Sequence, residues 1–138
     1  PVLTAVDLLP TFCAAAGVTP PTDANGDGEN MLPALKGESI LRTRPIFWRI
    51  NGNKKNPNFW PALAVRDGNW KLVTTFDGQK VELYDLMANR AEDAGKDAAK
   101  AHPEITLRLS KLVRDWYATL PTKADPACMS KDRGTGSE

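Results

Sequence analysis

A chain of 138 residues is long enough to bury one hydrophobic core and too short for two substantial ones. Its 18 basic and 17 acidic side chains leave a formal charge of +1, so no bulk field draws it to nucleic acid or to an anionic membrane surface, and neither is expected as a partner. No apolar run approaches the roughly 18 residues of a membrane-spanning helix, and Cys13 and Cys128 fit neither a disulfide framework nor a zinc spacing.

An amphipathic pattern is already under way at Pro1-Val2-Leu3, as expected of a segment cut from a longer protein. Thr4 to Ala16 predicts a helix. Thr4 can cap it with Asp7 three residues on, and Val6, Leu9, Cys13 and Ala16 share one side, adjoined by Ala5, Leu8 and Phe12. An interior proline costs about 3 kcal/mol, so Pro10 requires the regular helix to start late or with an irregular first turn. Gly17 suits the C-terminal cap, and Pro20-Pro21 prevents continuation. So apolar a helix wants partners on more than one side, and Leu8, Leu9 or Phe12 is expected to be exposed or to meet another domain. Cys13, among these apolar residues, reads as a lone buried thiol, with pairing to Cys128 as the alternative.

The run Asp23-Ala24-Asn25-Gly26-Asp27-Gly28 imitates the first half of a calcium-binding EF-hand loop. The twelfth position, where a bidentate Glu should close the coordination sphere, is Ala34, so a structural turn is expected rather than a cation site. Met31 to Leu35 then reads as a short helical turn that contains Pro33, ends at Gly37 and covers an edge of the core.

Ile46-Phe47-Trp48-Arg49-Ile50 has the residue types of a strand. The segment Asn51 to Pro61 has no period and reads as a loop projecting from one end of a sheet, where recognition loops are often carried. Arg49, Asn51, Asn53, Lys54, Lys55, Asn56, Phe59 and Trp60 are its candidate ligand-contacting residues. The cations and amides suit an anionic or hydroxyl-rich ligand, and the aromatics suit a sugar face. The competing reading, commoner for an unpatterned basic loop, has solvated lysines and aromatics that anchor the loop to the core.

The stretch from Ala62 to Leu86 is the firmest element. Three β-type runs, Ala62 to Arg66, Trp70 to Thr75 and Lys80 to Tyr84, are separated by two gaps that each hold an Asp-Gly pair, which predicts a three-stranded antiparallel meander. Trp70, Leu72 and Thr74 share one face and Lys71, Val73 and Thr75 the other, one buried and the other at least partly wet. Met87 to Ala101 is polar and Ala-rich, a loose connection with a helical turn. From Pro103 to Leu120, apolar Ile105, Leu109, Leu112, Val113, Trp116, Tyr117 and Leu120 repeat at helical spacing opposite Glu104, Arg108, Lys111 and Asp115. This helix should lie across the apolar face of the meander. Seven side chains at roughly 1.5–3 kcal/mol each make that pairing the main source of stability, before entropy is subtracted. His102, just before it, reads as a capping or solvent-facing residue and not as a catalyst. The tail beyond Pro121 is expected to be disordered or an extended arm.

Hydrolysis needs a nucleophile or metal with a base and an anion-stabilising group converging on it. The sequence has one histidine, no serine in a nucleophile elbow, no base near either cysteine, no Gly-rich phosphate loop and no Cys/His cluster. On residue chemistry it is a non-catalytic α+β domain, with a four-stranded antiparallel sheet packed by a long C-terminal helix and an additional N-terminal helix.

Several segments, in order, carry a family resemblance: Val6-Asp7-Leu8-Leu9-Pro10-Thr11 with Ala16-Gly17-Val18; Asp27-Gly28 leading to Leu32-Pro33-Ala34-Leu35-Lys36-Gly37; Arg44-Pro45-Ile46-Phe47-Trp48; Ala64-Val65-Arg66-Asp67-Gly68-Asn69-Trp70-Lys71-Leu72; and Glu82-Leu83-Tyr84-Asp85-Leu86. Over about residues 2 to 120 the chain resembles the C-terminal part of the formylglycine-dependent sulfatases, of the arylsulfatase and N-acetylgalactosamine-6-sulfatase type. After Tyr84 it departs from the family pattern, with Asn89-Arg90, Glu92 and Gly95-Lys96 where an Asp-Pro, a Glu and an Asn-Leu are usual.

The resemblance implies residues 1–42 abutting a catalytic domain, residues 43–120 as an α+β subdomain, and residues 121–138 as a polar tail. It implies hydrolysis of sulfate esters, on an aryl sulfate or a sulfated carbohydrate, by a parent protein in the periplasm or secreted. The catalytic formylglycine, made from a C/S-x-P/A-x-R motif, and a calcium ion held by Asp and Asn side chains belong to the N-terminal catalytic domain. Neither Cys13-Ala14-Ala15-Ala16-Gly17 nor Cys128-Met129-Ser130-Lys131-Asp132 fits that motif, so no catalytic, cofactor or metal residue carries over. What carries over is a stabilising role and a substrate-rim role for Arg49 through Trp60. Two other readings stand beside it. A carbohydrate-binding module needs an exposed aromatic platform near Phe59 and Trp60, and a structural interaction module needs an apolar patch around the first helix with no pocket near residues 49–60.

Overall fold

In a computed structural model that describes residues 1–21, 26–50, 60–123 and 126–128, two glycines fold the centre of the chain back on itself. Strands β1 (Ile46–Arg49), β2 (Leu63–Asp67), β3 (Trp70–Thr74) and β4 (Val81–Asp85) form one antiparallel sheet in that order. Between β2 and β3 the turn is Gly68-Asn69, closed by the pair Asp67 and Trp70. Only Gly68 of the two has positive φ, at 58°, the pattern of a II′ hairpin that places glycine first. Between β3 and β4, Gly78 takes φ 73°, and Asp77 Oδ1 accepts from the Thr75 hydroxyl and the Gln79 amide.

Strand alternation sends Leu63, Val65, Leu72 and Leu83 to one face, and helix α3 (Pro103–Thr119) lies across it. Leu109 and Val113 are fully buried there, while Ile105, Leu112, Trp116, Tyr117 and Leu120 sit half-buried along the flanks. Phe47 of β1 stacks on Trp116, with centroids 4.9 Å apart and rings 9° from parallel. The opposite face is drier than alternation alone implies. Ala64, Val73 and Tyr84 are buried, with Trp60 and Leu86 packed against them.

Residues 87–101 are not the loose connection that their composition suggests. The Asn89 side chain is hydrogen-bonded to both the amide and the carbonyl of Asp93, and Glu92 adopts φ 55° while its carboxylate grips Lys71. Farther on, Leu83 donates to Asp97 Oδ1 and accepts from the Ala98 amide, so the outer edge of β4 is partly covered. Short side chains bonding to nearby backbone hold this segment, which no apolar period reveals.

Toward the N-terminus, a 3₁₀ turn (Ala5–Asp7) leads into α1 (Leu8–Ala15). The regular helix starts late, as Pro10 requires: the proline occupies the third helical position, where an amide would have had no partner inside the helix. Asp7 does more than cap. It is fully buried and accepts from the Thr4 amide at 2.8 Å, the Glu29 amide at 2.9 Å and Arg42 Nη1, which lies 2.7 Å from both carboxylate oxygens. The buried Thr11 hydroxyl accepts from the Met31 amide, and Glu29 in turn accepts from the amides of Thr43 and Arg44. Gly28 is required by close approach, since a Cβ there would stand 2.0 Å from the Val6 carbonyl oxygen. The EF-hand-like run lies partly outside the described residues. Its Gly26 and Asp27 carbonyls accept from Arg44 and Arg42, as structural turn atoms do. Helix α2 (Leu32–Leu35) packs on α1, where the Met31 amide bonds Thr11 and the Met31 side chain is buried.

Two stability measurements check this account. Leu109→Ala should cost about 2–5 kcal/mol in urea unfolding, because the cavity would open at the centre of the helix–sheet interface. Burial pushes the Asp7 carboxyl up, but the Arg42 guanidinium and the Glu29 and Thr4 amides outweigh it, so its pKa is lowered from 3.8. A lowered folded-state value means stability that is complete above the unfolded value and lost as pH falls below 3.8 through the folded one. Asp7→Asn should flatten that acid limb while costing about 3–5 kcal/mol near neutral pH, since it leaves Arg42 with 8% side-chain exposure and without its direct ion-pair partner.

Candidate functional site

The loop that carries the predicted ligand-contacting residues leaves the sheet where Arg49, Leu63, Thr74 and Val81 stand in register, the same end as the 75–80 turn. Of its eight candidates, Asn51, Asn53, Lys54, Lys55, Asn56 and Phe59 lie outside the described residues. Arg49 and Trp60 lie within them, and the structure sets them on opposite faces of the sheet. Arg49 shares the α3 side with Phe47, and its guanidinium carbon lies 5.4 Å from the centroid of the Tyr117 ring. Trp60 packs half-buried on the other side against the Ala64, Val73 and Tyr84 cluster.

That second face carries a set of paired charges that sequence reading did not find. Lys80 Nζ sits 3.8 Å from the centroid of the Trp60 ring and 3.4 Å from Glu82 Oε1. The Tyr84 hydroxyl donates to Glu82 Oε2. Lys71 Nζ bonds both Glu92 oxygens, at 2.8 and 2.6 Å, and lies 5.8 Å from the centre of the Trp48 ring. Alternation of Lys71, Glu82 and Tyr84 along their strands puts them on one face, but the partner Glu92 is 21 residues from Lys71 and no spacing rule joins them.

Burial first, then the hydrogen bond and charge of Glu82, push the Tyr84 phenol well above its ordinary range, which makes it a hydrogen-bond donor and a poor base. His102, at the N-cap position of α3, lays its ring on Trp70 with centroids 4.7 Å apart, and its Nδ1 is 3.9 Å from Glu104. Its side chain makes no capping hydrogen bond, so packing holds it. Cys13 is a free, half-buried thiol on α1, less covered than its apolar surroundings in sequence imply. Among the described residues no group of three His, Cys, Asp or Glu side chains is placed to hold a metal ion.

A second exposed surface is apolar. Leu8, Leu9 and Phe12 of α1 are 41%, 52% and 61% exposed, as its excess of apolar positions predicted, and Val6 and Val18 beside them are open as well.

No family model matches the chain. It is 26% identical over 136 residues to a Delta 4,5-hexuronate-2-O-sulfatase of Bacteroides thetaiotaomicron, covering 94% of this chain and 28% of that protein. To an ulvan-active sulfatase of Formosa agariphila it is 33% identical over 148 residues, covering 86% and 29%. A solved structure assigned to a sulfatase from Bacteroides thetaiotaomicron superposes with TM-score 0.59 at 26% identity, over 88% of this chain and 27% of that one. A 2-O GAG sulfatase structure superposes with TM-score 0.58 at 26% identity, with the same coverage. The chain thus spans a little over a quarter of the length of the proteins it matches.

The Tyr84 environment has a spectroscopic consequence. In a phenol titration of the folded chain, Tyr84 should not ionise near pH 10, the ordinary phenol value. Tyr84→Phe should therefore leave the part of the titration curve around pH 10 unchanged, and loss of a step there would show that Tyr84 is not held as described.

Proposed function

We propose that this chain, which matches the sulfatases by sequence and by fold as a C-terminal subdomain of that family, stabilises a sulfatase catalytic domain and borders its substrate pocket without being catalytic itself. The observation that carries this reading is the open face of α1. Leu8, Leu9 and Phe12 stand exposed on a chain whose relatives are more than three times its length, so the rest of the parent protein is the natural occupant. At about 25 cal/mol per Å² of apolar surface buried, covering three such side chains would contribute several kcal/mol to the union of the two parts. The four-stranded sheet, locked by α3, is then a rigid mount. Arg49, held on one face, and Trp60, held on the other, flank residues 51–59, and this reading assigns that stretch to the pocket rim.

Sulfate-ester hydrolysis would be the parent's activity. Two of the matched proteins are described as acting on ulvan and on a hexuronate, so a sulfated carbohydrate is the substrate class this reading favours. Among the described residues no group fits a calcium site, and neither cysteine fits a formylglycine precursor. Asp7 is saturated by Arg42 and two backbone amides, Glu29 by Thr43 and Arg44, and Cys13 is followed four residues on by Gly17 and not by an arginine. Calcium and formylglycine are accordingly assigned to the rest of the parent protein, and no catalytic step runs through this chain.

The isolated chain should show no turnover of aryl sulfates. In the full-length parent, Phe12→Glu should lower the unfolding midpoint and the yield of active enzyme, while the same change in the isolated chain should alter stability by less than about 0.5 kcal/mol, as at an exposed position. Equal losses in both contexts would overturn the docking role, and turnover by the chain alone would overturn the division of labour.

A further inference from the structure

Near the opposite end of the sheet from the 49–60 loop is a cavity of about 310 Å³, in the lower part of the size range of small-molecule sites. Arg42, Arg44, Arg66 and Asn69 supply its polar wall, and Ile40 and Ile46 are among the apolar residues that face them. The register separates it from the loop: Ile46 pairs with Arg66 here, whereas Arg49 pairs with Leu63 at the loop end, three residues or about 10 Å along the strands.

We propose that this cavity binds a small organic anion, a sulfate or carboxylate group carried on a compact ring. The charge balance is the first argument. No acidic residue lines the cavity. Arg42 is neutralised by the buried Asp7 behind it and serves as a fixed wall, with Nε also donating to the Arg44 carbonyl. Arg44 and Arg66 have no such partner: among the described residues neither has a carboxylate within ion-pair distance. Each is nevertheless held in place, Arg44 by Nη1 donating to the Gly26 carbonyl at 3.0 Å and Arg66 by Nε donating to the Gly68 carbonyl at 3.1 Å. Anchoring a guanidinium through one nitrogen leaves the others directed elsewhere, and its planar fork matches the oxygens of a carboxylate or sulfate.

The shape is the second argument. Two cations with no carboxylate partner among the described residues, beside an aliphatic wall, make an amphiphilic site, with a place for the anionic head and an apolar surface for the ring that carries it. A bare inorganic ion would use only the first part. The Gly68-Asn69 turn, which sets strand register in the fold, also supplies the carbonyl that aims Arg66 and the amide side chain at the cavity edge. This site is independent of the docking and rim roles proposed above and stands or falls apart from them.

Calorimetric titration of the chain with benzenesulfonate and with benzoate, at constant ionic strength, tests the proposal and separates a sulfur-centred from a carboxylate head. Saturable binding of at least one is expected, with inorganic sulfate weaker, and the amide resonances of Arg44, Ile46, Arg66 and Asn69 should move with it. Arg44→Gln together with Arg66→Gln should weaken binding by about tenfold or more, as loss of charge-assisted hydrogen bonds predicts, and Lys54→Gln with Lys55→Gln should not. If the double arginine variant melts early, Arg66→Lys serves in its place, keeping the charge but losing the fork, and should weaken binding measurably. No saturable binding, binding indifferent to both arginine variants, or binding lost with the two lysines would each overturn the proposal.

Discussion

The packing of α3 on the sheet is the interaction on which the rest of the molecule depends. Leu109 and Val113 enter between Leu63, Val65, Leu72 and Leu83, and all six side chains are essentially removed from water. None of the four strands exceeds five residues, and a sheet of that size is marginal without a helix on its apolar face. The Phe47–Trp116 stack brings the outermost strand into the same interface, and so the whole sheet, including the strand that launches the 49–60 loop, is fixed by one helix.

A second centre, with different chemistry, organises the N-terminal third. There the apolar side chains of α1 largely face outward, and the contacts that hold residues 26–44 to it are polar: Asp7 with Arg42, Thr4 and Glu29, Thr11 with Met31, and Glu29 with Thr43 and Arg44. Buried ion pairs add little net stability compared with an apolar core, but breaking one side of them is costly, and their directionality specifies a unique arrangement. Holding this region by directed bonds leaves the apolar face of α1 available for another surface. Polar contacts inside and apolar side chains outside accord with the docking role proposed for α1.

The polar features of the sheet divide in the same sense. Lys71 with Glu92 and Lys80 with Glu82 are mutually neutralised, and Tyr84 is tied to Glu82, so that face is a finished structure. Arg44 and Arg66 are oriented but have no ion-pair partner among the described residues, and a charge that the fold positions without neutralising is where a ligand gains most.

Local pattern alone was enough for much of this. The Asp-Gly turns, the alternation of Trp70 to Thr74, the helical spacing from Ile105 to Leu120 and the displaced helix start at Pro10 are short-range properties, governed by backbone geometry and by the separation of apolar from polar positions within a few residues. The outward exposure of Leu8, Leu9 and Phe12 followed from the same count, because a helix apolar on most of its surface cannot hide all of it in a small chain. Of the candidate recognition residues only Arg49 and Trp60 lie among the described residues, and the sequence did not place them. That Arg49 and Trp60 fall on opposite faces depends on strand parity at β1 and on the packing of Trp60 under Lys80. What only the tertiary structure decided were the pairings across long separations: Asp7 with Arg42 35 residues on, Lys71 with Glu92 21 residues on, and Arg44 and Arg66 around one cavity. A charged residue reads in sequence as a solvated surface group, and whether it is buried, paired or left open depends on which distant segment folds against it.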